Sequence, residues 1–198
     1  MIKIIVSGFG SFHNVSSNPT EILINNLEHK NIVQKRVLKV GVDTIDNYLE
    51  EMKNKYLLRS SKKQQKVYFV HFGVYTGSSA FHLETQAVNE KHWPNSYDEE
   101  KNTFVHTKID SEKDLDHSLQ TKIEIVNLAK KLGSQTAQSF DCGKYICNYT
   151  YYSSMKITHA FTFAKSLFVH VPSFETIDRE TQTEFVNNLI SLIATGYY

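Results

Sequence analysis

The chain is organised around the apolar run Ser166-Leu167-Phe168-Val169-His170-Val171, which Pro172 ends. The run is continuous rather than alternating, a pattern typical of a strand buried on both faces of a parallel sheet. Two further runs, at 2–6 and 67–70, have the same character. These three segments predict the centre of one sheet.

Helical signals separate the predicted strands. Asn18 followed by Pro19 is typical of an N-cap and the first residue of a helix, and Asp43 or Thr44 is expected to cap a second helix over 45–57. Further helices are predicted over 117–132 and 177–194. Because strands and helices alternate, the sequence predicts an α/β fold, a three-layer α/β/α sandwich around an open, mainly parallel twisted sheet.

Composition argues against several classes of protein. The 198 residues carry a formal net charge of +1, so no overall field draws the chain to nucleic acid or to an anionic membrane. The length suits a single domain spanning 1–198. No apolar run is long enough to cross a bilayer, and two cysteines are too few for a disulfide framework, so a cytoplasmic protein is expected.

The stretch 141–152 combines a glycine turn with a predicted helix start. Gly143 supplies the freedom to turn, Asp141 is a candidate N-cap, and Cys147 would lie in the first helical turn. There the helix dipole and unsatisfied N–H groups favour a thiolate, so Cys147 is a candidate nucleophile. On this stretch alone, a cysteine that simply packs in the core is the commoner outcome.

His170 lies at the end of the predicted central strand, where ligands of parallel sheets bind. Alone it would more often be a core histidine, but paired with Cys147 it could act as a general base. Glu84 and Asp141 are the acidic candidates for orienting its imidazole. A zinc site is not expected, because apart from Cys142 and Cys147 no two His or Cys residues show close ligand spacing.

The predicted turn after the first strand, Gly8-Phe9-Gly10-Ser11-Phe12, has only part of a dinucleotide-binding pattern. His13 occupies the place of the third glycine, so nucleotide binding is not expected. Phe9 and Phe12 either plug the end of the sheet or form an apolar wall for a small flat ligand.

Four segments, taken in order, resemble the pyroglutamyl peptidase I family of cysteine exopeptidases, also called pyrrolidone carboxyl peptidases. They are the opening 8–12 with Asn18-Pro19, Leu83-Glu84 followed by Asn89, the cysteine segment 143–153, and the histidine segment Phe168-Val169-His170-Val171-Pro172. The cysteine and histidine segments are highly specific, and the glutamate segment is less so.

The resemblance implies a catalytic triad, with Cys147 as nucleophile, His170 as base and acid, and Glu84 as the group that orients His170. The implied substrate-binding residues are Phe9, Phe12, Tyr145 and Ile146. The implied reaction removes an N-terminal pyroglutamyl residue from peptides through a thioester acyl-enzyme, without a metal or cofactor. Backbone groups near Val42 and Tyr75 are expected to contact the lactam ring.

The sequence also departs from the family pattern. Ser11 stands where proline is usual, and 71–75 lacks the glutamine of bacterial members, so it is closer to the animal form. That likeness favours a monomer over a tetramer. The segment 90–107 diverges most, and Cys142 has no assigned role.

Two other functions are consistent with parts of the sequence. One is a non-catalytic protein that binds pyroglutamyl-blocked peptides, against which the intact Cys147, His170 and Glu84 count. The other is a nucleoside phosphorylase on a similar sandwich. That enzyme would need clustered arginines to bind phosphate, and the few arginines here are scattered along the chain.

Overall fold

The computed structural model describes residues 2–11, 18–62, 65–92, 97–98, 103–104 and 106–196. The strands in these ranges are β1 (Lys3–Phe9), β2 (Ile32–Leu38), β3 (Val67–Val74), β4 (Phe81–Glu84), β5 (Gln86–Val88), β6 (Tyr97–Asp98), β7 (Thr103–Phe104), β8 (Ser118–Gln120), β9 (Thr136–Ser139) and β10 (Ala164–Val171). The helices are α1 (Pro19–Asn26), α2 (Val42–Met52), α3 (Leu58–Ser61), α4 (Ile125–Leu132), α5 (Ile146–His159) and α6 (Arg179–Thr195). A π-helical turn, Lys53–Leu57, joins α2 to α3.

Within the described residues, six strands form the main sheet in the order β2-β1-β3-β10-β4-β9. Strands β2, β1, β3 and β10 run parallel to one another. The continuous apolar sequences of β1, β3 and β10 predict this direction. Strand β4 is antiparallel to β10 and parallel to β9. The sheet is therefore mainly parallel, with one change of direction beside β10.

The two faces of the sheet carry separate cores. Alternate residues point to opposite faces of a strand, and Ile4 and Val6 of β1 pack with α1, α4 and α6, whereas Ile5 packs with α2 and α5. Strand β10 divides in the same way, with Val169 in the first core and Phe168 in the second. This arrangement confirms the predicted three-layer α/β/α sandwich.

Helix α1 follows its sequence signals closely. Asn18 is the N-cap, its side-chain oxygen accepts a hydrogen bond from Thr20 N at 3.0 Å, and Pro19 is the first helical residue. The cap predicted for α2 is wrong: the helix begins at Val42, and Gly41 lies at the N-cap position without a side-chain hydrogen bond.

The segment before the cysteine differs more from its prediction. The helix expected over 117–132 forms only as α4, which begins at Ile125. Residues 118–120 of the expected helix instead form β8, which pairs with β5. Gly133 ends α4, with a φ of 96° that glycine adopts without strain. The polar region after β3 holds short strands joined by loops, and one of those strands, β4, joins the main sheet.

None of the helices in the described part of the chain combines the length and apolar character needed to span a bilayer.

Candidate active site

A glycine turn places Cys147 at the second residue of α5. Gly143 has a φ of 73°, a left-handed conformation that glycine adopts readily. The predicted N-cap is wrong in detail: Asp141 Oδ1 accepts a hydrogen bond from Gly143 N at 2.9 Å, and Tyr145 occupies the N-cap position. Asp141 therefore stabilises the turn rather than the helix.

Strand pairing brings Glu84 beside His170. Glu84 lies opposite Phe168 in the antiparallel pair of β4 and β10, so it is the diagonal neighbour of His170 on the same face of the sheet. His170 Nδ1 lies 2.7 Å from Glu84 Oε1. Glu84 is fully buried and His170 is 7% exposed. Because Nδ1 is engaged by Glu84, Nε2 is the nitrogen left for a second partner.

That second partner is Cys147, whose side chain hydrogen-bonds His170. Burial of His170 opposes its protonation. The negative charge and hydrogen bond of Cys147, followed by the hydrogen bond and charge of Glu84, outweigh burial and raise the pKa of His170 to about 10. The imidazole is therefore protonated near neutral pH and can give its proton to a leaving group.

Gly73 of β3 allows the thiol to lie this close to the sheet. Gly73 pairs with His170 in the register of β3 and β10. A Cβ atom on Gly73 would lie 2.8 Å from Cys147 Sγ and 2.9 Å from Phe168 Cζ, both too close for van der Waals contact. The sequence does not indicate this role for Gly73, because the close approach of α5 to β3 leaves no signal in a single sequence.

An apolar cavity of about 460 Å³ opens beside these side chains. Its lining includes Cys147, His170, Phe9, Tyr145 and Ile146, so three of the four expected substrate-binding residues lie at one site. The fourth, Phe12, lies outside the described residues. The cavity could hold a small, flat and largely apolar group.

The expected lactam contacts fit the cavity only in part. Tyr75 lines it, but its backbone N–H already donates to Val171 O at 2.9 Å. Val42 begins α2 and packs in the second core, outside the cavity lining. His82 and Asn18 also line the cavity and were not identified from the sequence.

Cys142, the other thiol, is buried behind the turn. Its sulfur lies within 4.8 Å of a ring nitrogen of His170 and a carboxylate oxygen of Glu84. Burial and the nearby charge of Glu84 raise the pKa of the Cys142 thiol well above its usual range. Cys142 is therefore kept protonated; both cysteines line the cavity, but only Cys147 is partly exposed.

The start of α5 also supplies donors for a developing negative charge. The first N–H groups of a helix have no intrahelical acceptor, and in α5 they include those of Ile146, Cys147 and Asn148. A helix N-terminus beside a nucleophile is suited to hold the oxyanion of a tetrahedral intermediate. Fold and site together are typical of a thiol hydrolase that forms an acyl-enzyme.

A family model describing pyroglutamyl peptidases matches residues 2–186. The chain therefore belongs to the pyroglutamyl peptidase family, which confirms the resemblance seen in the sequence. This membership supports a cysteine exopeptidase that removes an N-terminal pyroglutamyl residue from peptides. No curated protein sequence gives a significant match to the chain.

Solved structures share the fold. The pyrrolidone carboxyl peptidase of Thermococcus litoralis has a TM-score of 0.78 and 20% identity, over 97% of this chain and 93% of that chain. A mutant pyrrolidone carboxyl peptidase from Pyrococcus furiosus has a TM-score of 0.79 and 23% identity, over 99% of this chain and 100% of that chain. The sandwich is therefore the one found in these peptidases.

Proposed function

We propose that Cys147, His170 and Glu84 carry out the peptidase reaction in a single catalytic domain spanning 1–198. The observation that supports this most strongly is the chain of contacts from Cys147 to His170 and from His170 to a buried carboxylate. Cys147 and His170 also line an apolar cavity that is large enough for a pyroglutamyl ring. Nothing in the site favours a protein that only binds blocked peptides.

The proposed reaction uses Cys147 as the nucleophile and protonated His170 as the proton donor. The Cys147 thiolate attacks the carbonyl carbon that joins the pyroglutamyl ring to the next residue, and the N–H groups at the start of α5 hold the oxyanion. The C–N bond then breaks, and His170 gives its proton to the departing amine. A water molecule gives its proton to His170 as it attacks the thioester, which releases pyroglutamate and restores the thiolate.

The proposed pocket explains the selection of a blocked N-terminus. Phe9 and Ile146 are buried and line the cavity, and the half-buried Tyr145 lines it as well. Phe12 is proposed to complete this wall, as the family resemblance implies. An uncharged lactam can enter such a pocket, whereas the ammonium group of an ordinary N-terminus would lose its water. That loss costs several kcal/mol without a partner, which gives strong discrimination.

Two further properties are proposed. Both cysteines are free, and a thiol nucleophile needs a reducing compartment, so the cytoplasm is the proposed location. A monomer is proposed because the exposed large apolar side chains among the described residues are scattered over different elements. Light scattering during size-exclusion chromatography tests the second point, and a mass well above 22.8 kDa would contradict it.

The function is tested with pyroglutamyl-aminomethylcoumarin under reducing conditions. The parent should release the coumarin, whereas Cys147→Ser should not. Cys142→Ser is the matched control, because it removes the other thiol and leaves the proposed nucleophile in place. Release by Cys147→Ser would discard the nucleophile, and no release by a folded parent would discard the activity.

A further inference from the structure

A second group of chemically active side chains lies outside the catalytic centre, in the segment that diverges most from the family pattern. Glu90 Oε1 lies 2.8 Å from His92 Nε2 and also contacts His106 Nδ1. One ligand atom from each of the three residues lies within 4.8 Å of the other two. The two imidazole rings meet edge to face, 5.4 Å apart between centroids.

We propose that Glu90, His92 and His106 form a binding site for a divalent metal ion of the zinc class. Two imidazole nitrogens and one carboxylate oxygen are a common ligand set for zinc. In a tetrahedral site with zinc–ligand bonds of 2.0–2.2 Å, ligand atoms stand about 3.4 Å apart. The three ligand atoms of Glu90, His92 and His106 are already separated by distances of this order. Small side-chain movements would therefore admit the ion, with water as a fourth ligand.

The surroundings of Glu90 favour ligation through one oxygen. Lys144 Nζ lies 2.5 Å from Glu90 Oε2, which leaves Oε1 directed at the two histidines. The side chain of Glu90 is 9% exposed, whereas those of His92 and His106 are 22% and 55% exposed. A buried carboxylate below two accessible imidazoles gives the ion both a fixed ligand and a path of entry.

Two hydrogen bonds connect the proposed metal site to the start of the catalytic helix α5. His92 N donates to Lys144 O at 2.6 Å, and Lys144 lines the catalytic cavity. Asn148, the residue after Cys147, donates from Nδ2 to Glu90 O at 2.8 Å. A bound ion would therefore fasten the segment that carries Glu90 and His92 to the start of α5. We expect it to raise the melting temperature of the folded chain.

Histidine and cysteine spacings in the sequence do not predict this group, because one of its ligands is a carboxylate and His106 lies 14 residues beyond His92. The antiparallel bridge between Lys91 and Thr107 brings the two parts of the segment together. Tertiary pairing, rather than ligand spacing, thus forms the group.

Zinc and cobalt binding to the whole chain tests the proposal. The background is Cys142→Ser with Cys147→Ser, which removes thiol ligands and makes the result independent of peptidase activity. Equilibrium dialysis should give one Zn²⁺ per chain, and Co²⁺ should give tetrahedral visible absorption bands. His92→Ala or His106→Ala should weaken binding by about 100-fold. His29→Ala, which changes a histidine outside the cluster, should bind as the background protein does.

Two results would overturn the proposal. One is the absence of stoichiometric Zn²⁺ binding in the background protein with its fold intact by circular dichroism. The other is equal binding in the His92→Ala, His106→Ala and His29→Ala variants, which would place the ion elsewhere. Either result would leave Glu90 as a carboxylate satisfied by Lys144 and the two histidines, and would not affect the proposed peptidase function.

Discussion

Two buried histidines on adjacent strands show how partners decide the role of a side chain. His71 of β3 lies opposite Phe168 of β10, so it is next to the strand that carries His170 and faces the same core. His71 is fully buried and His170 is 7% exposed. Their degrees of burial are therefore similar, but their protonation states are opposite.

The difference arises from the charges around each ring. The ring nitrogens of His71 contact neutral hydroxyl groups, with Nδ1 2.7 Å from Ser7 Oγ and Nε2 2.8 Å from Ser154 Oγ. Burial therefore lowers the pKa of His71 to about 3. His170 is also opposed by burial, but it contacts Cys147 and Glu84, and its pKa rises to about 10. Burial without charged partners keeps a histidine neutral and structural, whereas charged partners raise its pKa and suit it to proton transfer.

The largest expected effect comes from removing the side chain of His170, with the same change at His71 as its control. His170→Asn should lower kcat for pyroglutamyl-aminomethylcoumarin by about 10,000-fold, because the general acid and base is lost. His71→Asn is the matched control and should keep kcat within about tenfold. Steady-state kinetics on both purified variants provides the measurement. Equal losses in the two variants would contradict the separation of their roles.

Removing the charge of Glu84 should have the next largest effect. Glu84 Oε2 is buried and accepts no hydrogen bond from the described residues, and Glu84→Gln would place a neutral amide there. Misorientation of His170 and loss of the charge should lower kcat by about 1,000-fold. The pH profile should shift as the pKa of His170 falls.

Glu90→Gln is the control for this charge change, since Glu90 is another buried carboxylate that contacts histidines. It should retain kcat within about tenfold of the parent. If Glu84→Gln were as active as Glu90→Gln, another group would have to orient His170, with Asp141 the first candidate from the sequence.

A smaller effect is expected from filling the space that the thiol occupies. In Gly73→Ala the new methyl group would push Cys147 Sγ away from His170, and kcat should fall by about 100-fold. Gly41→Ala is the control, because its nearest neighbour, Thr44 Oγ1, is 3.7 Å from the added carbon. Kinetics and circular dichroism on both variants give the comparison. An unaffected Gly73→Ala would show that the thiol is not held against β3.

The smallest effect concerns stability at acid pH. The pKa of His71 is lower in the folded chain than its ordinary value of 6.5, so the unfolded chain binds more protons between pH 6.5 and about 3. The stability that neutral His71 contributes is therefore present above pH 6.5 and is lost as the pH falls toward 3. Urea unfolding should show a shallower acid slope in His71→Asn than in the parent. Identical slopes would mean that His71 does not set this dependence.

The sequence predicts the middle of the sheet well. The continuous runs at β1, β3 and β10 are buried on both faces, so their patterns leave little choice of structure. The Asn18-Pro19 cap is local chemistry, and local chemistry can be recognised without the rest of the fold. The same holds for Cys147 near the start of α5.

Features that depend on distant contacts were missed. Strand β4 lies in a polar region, and its place between β10 and β9 depends on pairing rather than on its own four residues. Strand β8 has a helical pattern in the sequence, but pairing with β5 overrides it. The closeness of Gly73 to Cys147 follows from register, which a single sequence does not specify. The closeness of Glu84 to His170 also depends on register, and it was the family resemblance that indicated this pair.

The most direct test of this account is an NMR titration of the histidine rings in the parent and in Cys147→Ser. In the parent, His170 should stay protonated until the pH approaches 10, while His71 should stay neutral down to about pH 3. In Cys147→Ser the pKa of His170 should fall, because a neutral hydroxyl replaces the charged sulfur. A His170 that titrates near 6.5 in the parent, or is unchanged by Cys147→Ser, would contradict the account.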